Sequence, residues 1–99
     1  MRIYLDDERT APTGFTLIKT VEDAKKFIKR CEYNRKVTQR SFWDIEEISL
    51  DNDLGEDQEE GYKLLDWLEE TGRNYHCTVH SMNPVAVERM RMIIDKNGW

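Results

Sequence analysis

Apolar residues in this chain fall into clusters of two kinds. Short runs that stop at an acid or a histidine read as buried strands, and residues recurring every three or four positions read as helix faces. Ile3-Tyr4-Leu5 runs straight into Asp6-Asp7-Glu8, which predicts a strand over Arg2 to Leu5. Pro12 and Gly14 keep the next stretch out of a helix, and Phe15 to Lys19 reads as a second short strand. Thr20, with Asp23 three residues on, forms an imperfect capping box, and Val21, Ala24, Phe27 and Ile28 share one helical face. That helix is expected to end between Lys29 and Tyr33. Residues 34–43 are irregular, open to a longer helix, a loop or a segment folded back on the sheet.

Glu47 to Leu50 predicts a third strand, one that leaves the sheet at Asp51. After a polar loop, Gly61 opens a helix with an apolar stripe of Tyr62, Leu64, Leu65 and Leu68, closed by Thr71-Gly72. Cys77 to His80 is the last strand. Asn83 as N-cap with Pro84 at the first helical position starts a final helix that buries Val87, Met90, Ile93 and Ile94. The order β-loop-β-α-β-α-β-α favours a parallel sheet with right-handed crossovers in one domain, residues 1–99. The helix-free first link is short for a parallel crossover, so it either strides over the sheet or joins an antiparallel pair.

Composition narrows the class. With 38% hydrophobic and 35% charged residues among 99, the chain is a single globular domain without the ~20-residue apolar run of a membrane span, and a cytoplasmic location is expected. Cys31 and Cys77 lack zinc-site spacing and read as free buried thiols. His76, Cys77 and His80 alternate across a strand and cannot converge on a metal without a bulge. The net charge of −5 conceals a split: residues 44–70 hold twelve acids against Lys63 alone, −11, leaving +6 for the rest. Such an acidic half disfavours duplex DNA, while a protein partner stays open.

Three strands end in chemistry-bearing side chains, and open parallel sheets place their sites beyond the strands' carboxyl ends. Asp6, Asp7 and Asp51 are expected to hold a divalent cation, Mg²⁺ or Mn²⁺, because clustered carboxylates repel one another unless a cation or a shared proton intervenes. Asp53 lies close enough to orient a water or act as base. Asp51 to Tyr62 fails as a calcium loop, since Gly55, Glu56 and Tyr62 occupy the wrong positions. His80, Ser81 and Asn83 lie at a helix N-terminus, where Ser81, Asn83 and backbone amides could seat a phosphate and His80 could move a proton. Arg9 could clamp the same phosphate. Capping alone also accounts for Asn83. Arg30, Arg35, Lys36 and Arg40, with Phe42 and Trp43, form a further candidate, a platform for an RNA end.

The runs Tyr4-Leu5-Asp6-Asp7-Glu8-Arg9, Ser49-Leu50-Asp51-Asn52-Asp53-Leu54-Gly55 and His80-Ser81-Met82-Asn83-Pro84-Val85 together resemble the cyclic-phosphate processing receiver domain family. The resemblance implies a three-layer α/β, shortened receiver or flavodoxin-like fold with a four-stranded, mainly parallel sheet of order 2-1-3-4. It also implies a divalent cation site and a phosphoesterase acting on a cyclic or terminal phosphate of a nucleotide or RNA. A binding or regulatory module without turnover is the alternative. The family pattern often has His where Asn52 stands and Gly where Ala86 stands, and the receiver lysine after a fifth strand has no counterpart here.

Overall fold

The computed structural model describes every residue from Met1 to Trp99. Strand β1 (Arg2–Leu5) is followed by β2 (Thr16–Ile18), and from there helices and strands alternate: α1 (Val21–Thr38), β3 (Glu47–Leu50), α2 (Tyr62–Glu70), β4 (Cys77–Val79) and α3 (Pro84–Asn97). The sheet order is β2-β1-β3-β4 and every pairing is parallel, with Leu5 opposite Ile18 and Leu50, and Leu50 opposite Val79. This register lines up the carboxyl ends of all four strands along one edge. The short first link therefore strides back along the sheet, and the antiparallel alternative is excluded.

Side-chain alternation divides the sheet into two unlike faces. Ile3, Leu5, Ile48, Leu50 and Cys77 join residues of all three helices in one core, including Ala24 and Ile28 of α1, Leu64 and Leu68 of α2, and Met90 and Ile94 of α3. All helices thus share one face. Right-handed crossovers explain why: β2 to β3 and β3 to β4 step across the sheet in the same direction, whereas β1 to β2 steps the other way. The connection from Asp6 to Phe15 belongs to the far face, where ten residues leave no room for a helix. The far face is thus covered by side chains and not by the third layer expected from sequence: the Phe15 ring stands edge-on to Tyr4 at 5.9 Å, and the His80 ring stacks on Tyr4 at 4.1 Å.

The element ends follow local chemistry. Oγ1 of Thr20 accepts from the Asp23 amide at 3.1 Å, and Oδ1 of Asn83 accepts from the Ala86 amide at 3.2 Å, the capping read from both residues. Helix α1 outruns its expected end and continues to Thr38, capped by Gln39 in the left-handed region at φ 57°. Its buried stripe stops at Cys31, yet no Gly or Pro interrupts the two turns beyond. Arg35 and Lys36 favour the negative end of the helix dipole, and Arg35 pairs with Asp44 at 2.7 Å. Ser41–Trp43 then forms a single 3-10 turn. Both cysteines are free and buried, and no helix is long and apolar enough to cross a membrane.

Candidate metal and phosphate site

Beyond the strand ends lies a crevice of about 560 Å³ whose walls include Asp6, Asp7, Arg9, Asp51, Asp53 and Glu60. One oxygen from each of Asp6, Asp7 and Asp51 lies within 4.8 Å of the other two. The aligned register produces this meeting: β1 and β3 are paired neighbours, so residues just past Leu5 and Leu50 leave the sheet side by side. The Asp51 amide bonds the Leu5 carbonyl at 2.9 Å, carrying the pairing one step past the strand.

Asp6 is the anchored member of the trio, at 1% exposure. Its Oδ1 accepts from the amides of Glu8 and Arg9, both at 2.9 Å, and its Oδ2 accepts from Nε2 of His80 at 3.0 Å. Burial is the largest single influence and pushes its pKa up. The hydrogen bonds from Arg9, Glu8 and His80 together outweigh it, so Asp6 stays below the usual carboxylate range and ionised. Asp7 and Asp51 are half-buried, and Asp53 is exposed at the rim. Gly55, at φ +108°, passes Asp7 so closely that a Cβ there would sit 3.3 Å from its Oδ2.

Six carboxylates line the crevice (Asp6, Asp7, Glu8, Asp51, Asp53 and Glu60) against the single guanidinium of Arg9. Repulsion on that scale fits a hard divalent cation held by oxygen ligands, as Mg²⁺ and Mn²⁺ prefer. A phosphate would not enter the bare crevice. Arg9 hangs at its edge, 4.0 Å from Oδ2 of Asp6, with Nη1 donating to the His80 carbonyl at 3.1 Å.

The other expected site residues are placed differently. Both nitrogens of His80 are engaged inside the protein, Nε2 by Asp6 and Nδ1 by Oγ of Ser49 at 2.8 Å, and the ring is not part of the crevice wall. Oγ of Ser81 accepts from the Asn83 amide at 3.2 Å, and Ser81 borders a separate groove beside α3. Asn83 caps α3 and lines a small cavity of about 140 Å³ with Asn52, Glu60 and Arg89. Of the His80-to-Asn83 run, Met82 alone reaches the crevice wall.

Two residues with no role assigned from sequence hold the site together. Asn52 is buried, at 1% exposure. Its Nδ2 donates to Glu60 at 2.9 Å, its Oδ1 accepts from the Tyr62 amide at 3.2 Å, and its carbonyl accepts from the Gly61 amide at 2.7 Å. It therefore ties the end of β3 to the start of α2. Ser49 lies mid-strand on the far face, and the available signal was a hydroxyl between Ile48 and Leu50.

Of the basic residues considered as an RNA-end platform, Arg30 sits mid-helix in α1, whereas Arg35 and Lys36 lie in its last turn and Arg40 caps the 3-10 turn. That turn adjoins the N-terminal end of β1, where the Met1 amino group donates to the Asp44 carbonyl at 2.6 Å. The acid crevice lies at the opposite end of the strands.

A family model described as the cyclic-phosphate processing receiver domain matches residues 1–96. No curated protein and no solved structure matches the chain.

Proposed function

The chain belongs to the cyclic-phosphate processing receiver domain family, and from that premise we propose that it is a metal-dependent phosphoesterase acting on a cyclic or terminal phosphate of a nucleotide or RNA. The observation that carries the reading is the convergence of Asp6, Asp7 and Asp51 at the floor of an acidic crevice. These three carboxylates would hold Mg²⁺ or Mn²⁺. When bound, such an ion polarises a phosphoryl oxygen and makes a water more acidic.

The remaining roles belong to the protein's own groups. Asp6 brings a charge fixed by three hydrogen bonds, so its orientation does not have to be found when the cation arrives. Asp53, at the rim and without a hydrogen bond to protein, is free to orient a water or take its proton. Arg9 can swing from the His80 carbonyl to a phosphate oxygen at the crevice mouth, a charge-assisted contact. Ser81 and Asn83 are engaged at the start of α3, and Met82 between them reaches the crevice wall.

A phosphorus NMR survey of cyclic and terminal phosphates, with and without Mg²⁺ or Mn²⁺, tests the proposal. Metal-dependent ring opening or phosphate release is expected, falling at least about 100-fold in Asp51→Asn, as suits the loss of several kcal/mol of charge stabilisation. Undiminished turnover in that variant would end the reading. One observation favours a binding module without turnover: with both His80 nitrogens engaged internally, the crevice wall presents no imidazole to protonate a leaving oxygen. Calorimetry that records metal and nucleotide binding, alongside an unchanged phosphorus spectrum, would select that reading.

A further inference from the structure

Ser49, His80 and Asp6 stand in a line that begins on the far face of the sheet and ends among the clustered acids. Oγ of Ser49 lies 2.8 Å from Nδ1 of His80, and Nε2 of His80 lies 3.0 Å from Oδ2 of Asp6. The direction of each bond follows from donor chemistry. An ionised carboxylate only accepts, so Nε2 carries the hydrogen toward Asp6. When the ring is neutral Nδ1 is then bare, and the Ser49 hydroxyl donates to it. Tyr4 fixes the plane of the ring, stacking on it with centroids 4.1 Å apart and planes inclined by 5°. Ser49 and Tyr4 sit opposite one another in the β1–β3 register, so one pleat of the sheet supplies both the hydroxyl and the ring platform.

We infer that Ser49 and His80 form a rail that locks the Asp6 carboxylate in one orientation, with Ser49 a positioning residue that holds the ring at Nδ1 while Asp6 sets the Nε2–H tautomer. Asp6 needs such a hold. Its Oδ1 already takes two backbone amides, so Oδ2 is the oxygen that must be shared between His80 and the crevice. A histidine whose second nitrogen is tied to a partner keeps its ring from turning, and such outer partners tune metal affinity in metal sites generally. On this account His80 serves the site through Asp6 and does not touch substrate. The inference rests on the proposed metal reading only for its effect on affinity. The tautomer and the hold on Asp6 are properties of the metal-free protein.

The test therefore has two readouts. Long-range proton–nitrogen NMR of the metal-free protein, with the ring neutral, should show His80 as the Nε2–H tautomer. Ser49→Ala should keep that tautomer, which the Asp6 carboxylate imposes, but move the Nδ1 resonance to that of a nitrogen without a hydrogen bond, and Ser49→Thr, which keeps the hydroxyl, should restore it. Calorimetric titration with Mn²⁺ alone should show affinity down about tenfold in Ser49→Ala and about 10–100-fold in His80→Phe, which keeps the stack but has no donor. His80→Gln, with an amide donor near the place of Nε2, should recover part of the loss. It also stands in should the phenylalanine variant fail to fold. A wild-type ring in the Nδ1–H form would overturn the inference, as would Mn²⁺ affinities unchanged in Ser49→Ala and in His80→Phe. Should the wild-type protein take up no Mn²⁺ yet show the Nε2–H form, with an Nδ1 resonance that moves in Ser49→Ala and returns in Ser49→Thr, the rail stands and the metal reading falls.

Discussion

Replacing Gly61 with alanine should damage fold and site together, for a reason that can be sized. Gly61 has φ −56° and ψ −32°, an ordinary helical conformation that alanine adopts freely, so backbone strain contributes nothing. The obstacle is contact: a Cβ at this position would lie 2.0 Å from the Asp51 carbonyl oxygen and 3.0 Å from Cα of Asn52. Reaching even a tight 3.0 Å separation from that oxygen requires a shift of 3.0 − 2.0 = 1.0 Å between the start of α2 and the end of β3. The 2.7 Å bond from the Gly61 amide to the Asn52 carbonyl would then stretch beyond useful range, and the 3.2 Å bond from the Tyr62 amide to Asn52 would weaken. Two such bonds are worth about 1–3 kcal/mol net, and overpacking adds about 1–3 kcal/mol, less where relaxation serves both. A loss of roughly 2–4 kcal/mol is expected, which for a domain of this size lowers Tm by roughly 10–30 °C. Thermal unfolding followed by circular dichroism measures it, and Mn²⁺ calorimetry at low temperature should show weakened binding because Asp51 moves with its carbonyl. Gly72→Ala is the control: at φ +70° with nothing within 4 Å, it carries conformational cost without collision and should fall by only about 1 kcal/mol. A Gly61→Ala protein that melts like wild type would refute the close-approach argument.

The remaining predictions concern groups away from the crevice. Glu32 accepts a forked pair of bonds from Arg73, with Nη2 at 2.9 Å, and a further bond from the Tyr75 hydroxyl. Burial pushes its pKa up, but the Arg73 and Tyr75 bonds together hold it below the usual glutamate range. A depressed carboxylate stabilises the fold above its unfolded pKa of about 4.3 and loses that contribution as pH falls through its lower folded value. Glu32→Gln should thus cost about 1–3 kcal/mol at neutral pH, and urea titrations should show the gap closing below about pH 4. A gap independent of pH would locate the effect in packing. Burial also raises the Cys31 thiol and pushes Cys77 up to about 12, so both should resist alkylation at neutral pH and react promptly in urea, as mass spectrometry would reveal. Rapid labelling of either in the native protein would contradict its placement in the core.

What could be read from the sequence was whatever acts over a few residues. The caps at Thr20 and Asn83, the strands that stop at Asp6, Asp51 and His80, and the apolar stripe of α2 each announce themselves locally. The convergence of Asp6, Asp7 and Asp51 could be anticipated because strand ends converge wherever a sheet is parallel. The length of α1 was hidden because its last two turns carry no buried residue, and a periodicity argument falls silent where burial stops. The inward bonds of His80 were hidden too, since Ser49 lies 31 residues away on a face that alternation identifies without naming its partner. Asn52 read as a departure from a family pattern, while in the fold it is a knot between β3 and α2.

The sheet order β2-β1-β3-β4 imposes a schedule on assembly. Strand β1, made before the other three, becomes an interior strand, and only its pairing with β2 can form early, across ten intervening residues. Its other flank, Arg2 to Leu5 against Glu47 to Leu50, stays unmet until β3 has been made, about forty residues later. During that interval Ile3 and Leu5 are exposed beside an unpaired edge, so slow translation between the two strands would lengthen the time in which a nascent chain can stick to its neighbours.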